Sequence, residues 1–371
     1  MKDGVSRRSF IATAVGAAVV AGVGGYFAGS ATTRAVERVA AAATTTVTER
    51  IKETLTVTQT VAPKLEPITI RWTNTEGGRG AVGASLVAEN VKEIAERHAL
   101  KTEYNVVRGT GEAVRELVDG RAEIIGPSTV AGLVSAMEQN PSIKIVYFPD
   151  IGTLISLLVG SNTPYKSLDD LRKAIAEGKK IKLGFSRPGS LSHSYVIMLA
   201  SILGTKVGEG IEAVSLGTTD AIVAAVARGE IDGFPWGLDL TMNVEEKGLG
   251  RIIFLFSEYF GANWHEYAFV TTEDVMKRNP EAIRRFINYW RAAVRYYLLN
   301  RDRAIAMMTE SPPKGPGYSR KTAERYYDMF IYNYFGAPIK AALENIDYWS
   351  KQTGLVKNPP PIEKWYTTEF L

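Results

Sequence analysis

From residue 67 onward, short apolar runs alternate with longer amphipathic segments, and this alternation constrains the fold more than any other feature of the chain. ITIRW (68–72) is typical of a buried strand, and residues 80–98 place their apolar side chains on one face of a helix. Similar pairs of strand and helix follow one another through residue 236. Strands separated by helices predict mainly parallel sheets that are covered by helices, which is an α/β fold.

The alternation restarts after residue 160, and two segments on either side of that point share one plan. AVRELVDGRAEIIGPS (113–128) and AIVAAVARGEIDGFPW (221–236) each hold a helix, a closing glycine, one acid, a short strand and a proline. We interpret the acids, Glu123 and Asp232, as turn residues rather than catalytic groups. The sequence therefore predicts two similar lobes, each a mixed, mainly parallel sheet flanked by helices. The predicted division is 67–160 for the first part of lobe I, 161–257 for lobe II, and 258–371 for the return to lobe I with C-terminal helices.

The first 33 residues have the pattern of an export leader. Arg7 and Arg8 precede an uncharged run, Ser9 to Thr33, as in twin-arginine signals. The apolar part would span roughly 28 Å as a helix, about the thickness of a bilayer. Two interpretations stay open, a signal that is cleaved near Ala28 and an N-terminal membrane anchor. Residues 34–66, rich in Ala and Thr, are interpreted as a stalk or linker.

Charge and cysteine content exclude several classes of function. The chain has no cysteine, which excludes disulfides, thiolate metal sites and a cysteine nucleophile. The net charge is +4, and most of it lies in the first 66 residues, so the body offers no basic stripe for nucleic acid. We expect no nucleic-acid partner, no metal and no cofactor.

Hydroxyl groups and glycines gather where predicted strands end and helices begin. In open α/β sheets, ligands bind where the carboxyl ends of strands meet helix N-termini. Capping of the helix by a Ser, Thr or Asp side chain is the alternative role. We favour capping for Thr219 and Asp220, and both roles stay open for Ser128 and Thr129. The four junctions are TNTEGGRG (73–80), PST (127–129), SRPGSLSHS (186–194) and GTTD (217–220).

The turn SRPGSLSHS holds more hydroxyls than capping requires. One cap needs one hydroxyl, whereas Ser190, Ser192 and Ser194 alternate across the first helical turn, with Ser186 just before them. Gly189 lets a ligand approach the backbone closely. A helix start also carries free N–H groups and partial positive charge, which suit an anion. We predict that this turn binds a small polar or anionic group.

The predicted ligand-binding set extends from this turn to the other junctions. For Arg79 and Arg187, contact with a ligand and exposure to solvent are both open. Trp236, together with Trp72 and Trp264, is a candidate for an apolar wall, although single tryptophans most often lie in a core. The predicted set is Asn74, Thr75, Arg79, Ser128, Thr129, Ser186, Arg187, Gly189, Ser190, Ser192, His193, Thr218 and Trp236.

Four segments, taken in chain order, resemble the two-lobed solute-binding proteins of ABC importers. The resemblance is to the nitrate, sulfonate, taurine and thiamine-precursor branch of these proteins. The four segments span most of residues 67–310. The resemblance implies a Venus-flytrap fold with two crossing segments, near residues 158–162 and 257–267. It also implies that ligand contacts the turn at 186–193 and the loop at 74–79. The segments are LVDGRAEIIGPSTVAGLVSA, YKSLDDLRKAIAEGKKIKLGFSRPGSLSHSYVIMLASILG, GTTDAIVAAVARGEIDGFPWGLDLTMNVEEKG and EYAFVTTEDVMKRNPEAIRRFINYWRAAVRYYLLNRDRAI.

The resemblance implies capture of a small-molecule solute without chemistry, and delivery to an ABC permease with its ATPase. It also implies a location outside the cytoplasmic membrane, in agreement with the leader, and the membrane becomes a further partner if the leader is retained. We expect a monomer. The chain lacks the lipid-attachment cysteine of many bacterial members and has a longer stalk, so the mode of attachment stays open.

Other functions are weighed against this one. A TRAP-type or ligand-sensing receptor has the same two-lobed plan, and residues 77–81 partly match its GGxxGA-like first turn. A purely structural surface protein would bind no small solute. An enzyme is less favoured, because the chain shows no phosphate loop, no GxSxG elbow and no paired metal ligands, and its three histidines are scattered.

The serine turn supplies a first test. Changing Ser190→Ala together with Ser192→Ala should weaken solute binding, because both hydroxyls are predicted to contact the ligand. From the sequence alone, melting of the ligand-free protein is expected to stay nearly unchanged. Titration calorimetry and thermal melting measure the two effects, and normal binding by the double variant would show that the serines act only as caps.

Overall fold

The structure, a computed structural model, describes residues 65–188, 190–311 and 314–371. The predicted leader, nearly all of the predicted stalk, and Gly189 of the predicted site lie outside the described residues. In the part of the chain that is described, no helix is both long enough and apolar enough to cross a membrane.

The strands form two mixed sheets of five strands each, and each sheet defines one lobe. Lobe I contains, in spatial order, β2 (Leu100–Val107), β1 (Ile68–Thr75), β3 (Ile124–Thr129), β10 (Tyr267–Thr272) and β4 (Ile143–Tyr147). Lobe II contains β7 (Ile211–Ser215), β6 (Ile181–Phe185), β8 (Gly233–Gly237), β5 (Ile155–Gly160) and β9 (Gly250–Leu255). In each sheet, parallel strands fill one side and a single strand, β10 or β5, runs antiparallel to both of its neighbours. The predicted fold class, two mixed and mainly parallel sheets, is confirmed.

Helices connect and cover these strands. The segment at 80–98 was predicted as one helix but forms three short ones that begin earlier, at Glu76. One break brings Gly83 against the ring of Tyr297, where a Cβ atom would lie 2.5 Å from Cε2, so only glycine fits this contact. The α-helices are α1 (Glu76–Ala81), α2 (Ala84–Asn90), α3 (Lys92–Arg97), α4 (Thr110–Val118), α5 (Val130–Gln139), α6 (Leu168–Ala176), α7 (Leu191–Ile202), α8 (Thr219–Arg228), α9 (Leu238–Glu246), α10 (Phe256–Phe260), α11 (Glu273–Arg278), α12 (Pro280–Leu299), α13 (Arg301–Thr309), α14 (Arg320–Met329) and α15 (Lys340–Gln352).

The two segments that share a sequence plan occupy matching places in the two sheets. Each leads from a helix into the strand that lies third in its sheet, β3 or β8. The Glu123 carboxylate accepts the N–H of Arg71 at 2.9 Å, and the Asp232 carboxylate accepts the N–H of Lys182 at 2.7 Å. Both acids thus hold the neighbouring strand, β1 at its fourth residue and β6 at its second. This contact gives the two turn acids one structural role.

The first chain crossing lies earlier than the resemblance implies. Residues 155–160 were assigned to lobe I, with the crossing near 158–162, but β5 pairs with β8 and β9 inside the sheet of lobe II. The chain therefore leaves lobe I after β4 and enters lobe II at Ile155. The second change of sheet falls between Leu255, which ends β9, and Tyr267, which begins β10.

The two crossing segments are bonded to each other by buried polar groups. The Asp150 carboxylate accepts the backbone N–H groups of Glu266 and Tyr267 at 2.9 and 3.1 Å. One oxygen of Glu266 accepts hydrogen bonds from Thr153 and Trp264, at 2.8 and 3.0 Å, and from the hydroxyl of Tyr195 at 2.6 Å. Because Tyr195 belongs to α7 of lobe II, this carboxylate joins both crossings to one lobe.

His265 directly precedes Glu266 in the second crossing and is buried. The N–H of Ile339 donates to Nε2 at 3.0 Å, so the ring hydrogen is on Nδ1, 2.6 Å from the main-chain oxygen of Asp150. Burial lowers the pKa of His265 from 6.5 to about 4, since the charged ring cannot be solvated there. The neutral imidazole is therefore a structural part of the crossing.

This depressed pKa predicts a loss of stability in acid. Between about pH 6.5 and 4 the unfolded chain binds a proton at His265 that the folded protein does not, so the free energy of unfolding falls as the pH falls. At about 1.4 kcal/mol per pKa unit, the contribution is roughly 3 kcal/mol. Urea unfolding of the wild type and of His265→Gln across this range measures it. Equal pH dependence in both proteins would contradict the assignment.

Candidate functional site

A cavity of about 460 Å³ lies between the two lobes, where strand ends and helix starts of both sheets face each other. Lobe I, the second crossing and the C-terminal segment contribute Thr75, Gly77, Gly78, Arg108, Gly109, Thr110, Gly111, Thr129, Gly132, Ser135, Tyr267 and Leu355. Lobe II contributes Ile155, Ser186, Arg187, Pro188, Ser190, Leu191, Ser192, Tyr195, Pro235, Trp236, Gly237 and Asp239. The cavity has the size of a small-molecule site.

Four helices of at least two turns begin at the wall of this cavity. Their N-cap residues, Gly109 for α4, Thr129 for α5, Ser190 for α7 and Gly237 for α9, all line it. The start of a helix carries unpaired N–H groups and partial positive charge. Two of the helices belong to each lobe, so a small polar or anionic group in the cavity would be met from both sides.

The serines of the turn at 186–192 form one hydrogen-bonded cluster. Ser190 caps α7, its hydroxyl accepting the N–H of His193 at 3.3 Å. The hydroxyl of Ser192 accepts the N–H of Ser186 at 3.1 Å and lies 3.1 Å from the hydroxyls of both Ser186 and Ser190. These three residues also line the cavity. The same turn thus caps the helix and lines the cavity, and Ser192 closes the loop onto the helix.

Four further members of the predicted set also line the cavity. Thr75 caps α1 through the N–H of Gly78 and donates to the oxygen of Pro127, both at 3.0 Å. Thr129 lies 3.2 Å from the hydroxyl of Thr110. Trp236 is half-buried in the wall. Arg187 is exposed and lies beside the serine cluster.

Arg79 lies in a largely buried ion pair rather than in the lining. Its Nε is 2.6 Å from Glu89, whose other carboxylate oxygen accepts the hydroxyl of Tyr104. Burial raises the pKa of the Glu89 carboxyl, against the opposing effects of Tyr104 and Arg79. Neither of the two roles considered for Arg79, ligand contact or exposure to solvent, describes this position.

The other described residues of the predicted set lie away from the lining for identifiable reasons. Asn74 and Ser128 are fully buried in β1 and β3. His193 stacks on Phe185 with ring centroids 4.4 Å apart. Thr218 caps α8 through the N–H of Ala221 and is exposed.

Two of the three tryptophans considered for the wall are core residues. The indole N–H of Trp72 donates to the oxygen of Gly126 at 2.6 Å, and that of Trp264 donates to the carboxylate of Glu266 in the second crossing. Both side chains are buried. The interpretation of single tryptophans as core therefore holds for these two.

Sequence reasoning missed part of the lining. Residues 108–111 follow β2 just as the serine turn follows β6, so the junction rule would have found RGTG. Tyr195 lies one helical turn beyond Leu191. Tyr267 is the first residue of β10, at the end of the predicted second crossing, and Asp239 lies on a helix that the sequence did not delimit. In the described part of the chain, no group of three or more His, Asp or Glu side chains could hold a metal ion.

Comparison with known proteins supports the predicted resemblance. Residues 176–304 match the sequence model of the family described as NMT1/THI5 like. The matched segment includes the serine turn and most of lobe II. No curated protein matches the chain in sequence. The resemblance to this branch, predicted from four segments, is confirmed.

Solved structures match the whole described body in fold. The periplasmic aliphatic sulphonate binding protein SsuA from Escherichia coli is 16% identical with a TM-score of 0.66, over 81% of this chain and 92% of its own. The periplasmic nitrate-binding protein NrtA from Synechocystis PCC 6803 is 13% identical with a TM-score of 0.64, over 82% and 87%. The desulfurization enzyme DSZB is 13% identical with a TM-score of 0.56, over 81% and 97%. The chain has the periplasmic binding protein fold, and at these identities the likeness extends to the fold alone.

The structure changes the stability that we expect for the Ser190→Ala, Ser192→Ala double variant, and leaves the expected loss of solute binding as it was. Ser190→Ala removes a helix cap, which typically costs about 1 kcal/mol, and Ser192→Ala removes the acceptor for the N–H of Ser186. We now expect the ligand-free double variant to lose roughly 1–3 kcal/mol of stability, in addition to its weakened solute binding. Melting of the ligand-free protein measures this loss.

The ion pair of Arg79 gives a separate prediction. Arg79→Met leaves the Glu89 carboxylate buried without its cation and should destabilise the protein by about 3 kcal/mol, with solute affinity unchanged. Arg187→Met, at an exposed position, is the matched control and should leave stability unchanged. Chemical unfolding and calorimetry measure the two quantities. A variant of normal stability that has lost solute binding would place Arg79 in the site after all.

Proposed function

We propose that this protein is an extracytoplasmic solute-binding protein that captures a small polar or anionic solute between its lobes and delivers it to an ABC importer. The observation that carries the proposal is the cavity, which four helix starts from the two lobes surround. A ligand held by both lobes stabilises their closed arrangement only through the contacts that it makes in that state. Capture therefore requires no chemical step.

The fold supports this proposal. Two of the three proteins compared above carry names that describe periplasmic binding of sulphonates or nitrate, and the third is named as an enzyme. In addition, the cavity hydroxyls of Ser190, Ser192 and Thr75 act as caps or close turns, which suits fixed contacts to a bound solute. We propose binding rather than catalysis as the role of the site.

The route and the partner are proposed from the sequence. The twin-arginine pattern at Arg7 and Arg8 supports export, with the leader either removed or kept as an anchor. Mass spectrometry of the native N-terminus distinguishes these outcomes. Co-purification of an ATPase with a permease supports the importer, whereas a large permease without an ATPase supports a TRAP-type receptor.

A thermal-shift screen tests solute capture. The screen contains nitrate, small sulfonates, carboxylates, amino acids and vitamin precursors, and at least one of them should raise the melting temperature. A solute at 100 times its Kd stabilises the folded state by about 2.7 kcal/mol. The Ser190→Ala, Ser192→Ala double variant is the control and should show a smaller shift at the same concentration. Failure of every solute to shift the wild type would contradict the proposed function.

A further inference from the structure

One outer face of α12, which we call the arginine face, is rich in arginine and ends in leucine. Its residues follow one another at spacings of three and four, with Leu299 directly after Leu298, so they lie on the side opposite the buried residues that pack into lobe I. Its members include three arginines and no acid. Among the described residues, none of these members lines the cavity between the lobes. The arginine face consists of Arg284, Asn288, Arg291, Arg295, Leu298 and Leu299.

The apolar end of the arginine face is open to water. Leu298 and Leu299 are 49% and 71% exposed, and Phe335, in the loop between α14 and α15, is 72% exposed. The guanidinium of Arg291 holds this loop against the helix, donating to the main-chain oxygens of Tyr334 and Phe335 at 3.3 and 2.9 Å. Phe335 therefore lies beside the face and adds to its apolar area. Exposed side chains of this size gain free energy when they leave water, so their grouping indicates a surface that is covered in use.

The arginines of this face keep most of their charge available. In the described part of the chain, no carboxylate oxygen lies within 4.0 Å of a guanidinium nitrogen of Arg291 or Arg295. Arg284 lies 3.7 Å from Glu369, and both side chains are exposed, so water screens this pair. Asp302, in the first turn of α13, is an exposed acid beyond the leucines and lies between two arginines in the sequence. The face is therefore cationic along its length and apolar at its end.

The chain enters lobe I beside the start of this same helix. The guanidinium of Arg285 donates at 2.7 Å to the main-chain oxygen of Glu66, one residue after Leu65, where the described part of the chain begins. Arg285 is the neighbour of Arg284 in the sequence, so the predicted stalk and leader precede a point next to the arginine face. A stalk of about 30 residues reaches roughly 100 Å when fully extended, whereas α12 is about 30 Å long. Every residue of the face is therefore within reach of a membrane that holds the leader.

We propose that the body of the protein docks on a membrane of anionic lipids through the arginine face. The arginines bind lipid phosphates, while Leu298, Leu299 and Phe335 enter the boundary between headgroups and acyl chains. Each arginine near an anionic surface strengthens such binding roughly fivefold at low salt. A retained leader holds the face close to the membrane and so favours docking, whereas a protein that has lost its leader docks more weakly and reversibly.

A bilayer fits this face better than a second protein does. Protein interfaces concentrate their binding energy in a central cluster of residues that is enclosed by a polar rim. In the arginine face, the leucines lie at one end and the cations occupy the rest of the helix. Arginine combined with leucine and phenylalanine is the composition of helices that lie in the plane of a membrane interface.

A fluorescent label tests the proposal on the full chain, which has no cysteine and can therefore be labelled at one introduced thiol. Leu299→Cys carries a dye whose emission moves to the blue in an apolar environment. Val118→Cys, at an exposed valine of α4 in lobe I, is the matched control. Both labelled proteins are added to vesicles of phosphatidylglycerol, which is anionic, and to vesicles of phosphatidylcholine, which is zwitterionic. The label at 299 should shift to the blue on phosphatidylglycerol alone, and the label at 118 should shift on neither lipid.

Several results would overturn the proposal. They are no shift of the label at 299 on either lipid, equal shifts at 299 and 118, or equal shifts on the two lipids. A shift at 299 that requires a membrane containing the permease, and is absent from lipid alone, would assign the face to a protein partner instead. Each of these results leaves the proposed function standing, because the arginine face shares no described residue with the cavity.

Charge variants of the labelled Leu299→Cys protein locate the effect on α12. Arg284→Gln together with Arg295→Gln removes two exposed cations of the face and should weaken docking on phosphatidylglycerol roughly tenfold or more at low salt, measured from the emission shift. Lys166→Gln together with Lys206→Gln removes two exposed cations from lobe II and lowers the net charge by the same amount, so it is the matched control and should leave docking nearly unchanged. Docking as strong in the arginine variant as in its parent, or an equal loss in the lysine variant, would show that the arginines of α12 do not bind the lipid.

Discussion

The hydrogen bonds of two buried carboxylates, Asp150 and Glu266, hold together the place where the chain passes between lobes. Asp150 accepts backbone N–H groups of the second crossing, and Glu266 receives donors from both crossings and from lobe II. Burial raises the pKa of both carboxyl groups, which shows how little water solvates this region. Tyr195 and Tyr267 contact these carboxylates through a side chain or a main-chain N–H, and both also line the cavity. The crossing segments and the site therefore share residues, so a change in the angle between the lobes would alter the wall that a solute meets.

Each lobe is built on the same plan, and this repetition creates the site. Parallel strands bring their carboxyl ends to one edge, and the helices that follow begin there. With the two lobes facing each other, α4 and α5 on one side meet α7 and α9 on the other. The repeated acids, Glu123 and Asp232, accept main-chain N–H groups of the strands β1 and β6, before the carboxyl ends of those strands. Each lobe thus supplies a sheet with a polar edge. The lobes differ in the side chains at that edge, which in lobe II include the serines of the turn at 186–192 and Asp239.

Much of this architecture was predictable, because alternating strands and helices leave a strong local pattern. The sequence also indicated that the serine turn lies at the edge where the cavity is found, because it follows a predicted strand and begins a helix. The predictions that failed concern residues whose position depends on contacts with other elements of the fold, or segments that have no periodic pattern. Residues 155–160 are buried throughout, so their continuous apolar run does not indicate which sheet they join. Arg79 pairs with Glu89 on the following helix, a contact that no junction rule predicts. Asp239 was missed because α9 begins directly after β8 with no hydroxyl cap to mark its start.

The central claim is that both lobes bind one solute in the cavity between them. Hydrogen exchange followed by mass spectrometry tests this claim directly, with a solute taken from the thermal-shift screen at a saturating concentration. The account predicts slower amide exchange in peptides from both lobes that cover residues 75–78, 108–111, 190–195 and 235–239, because a bound solute engages the helix starts and shields them from water. Protection confined to one lobe, or found only on faces away from the cavity, would contradict it.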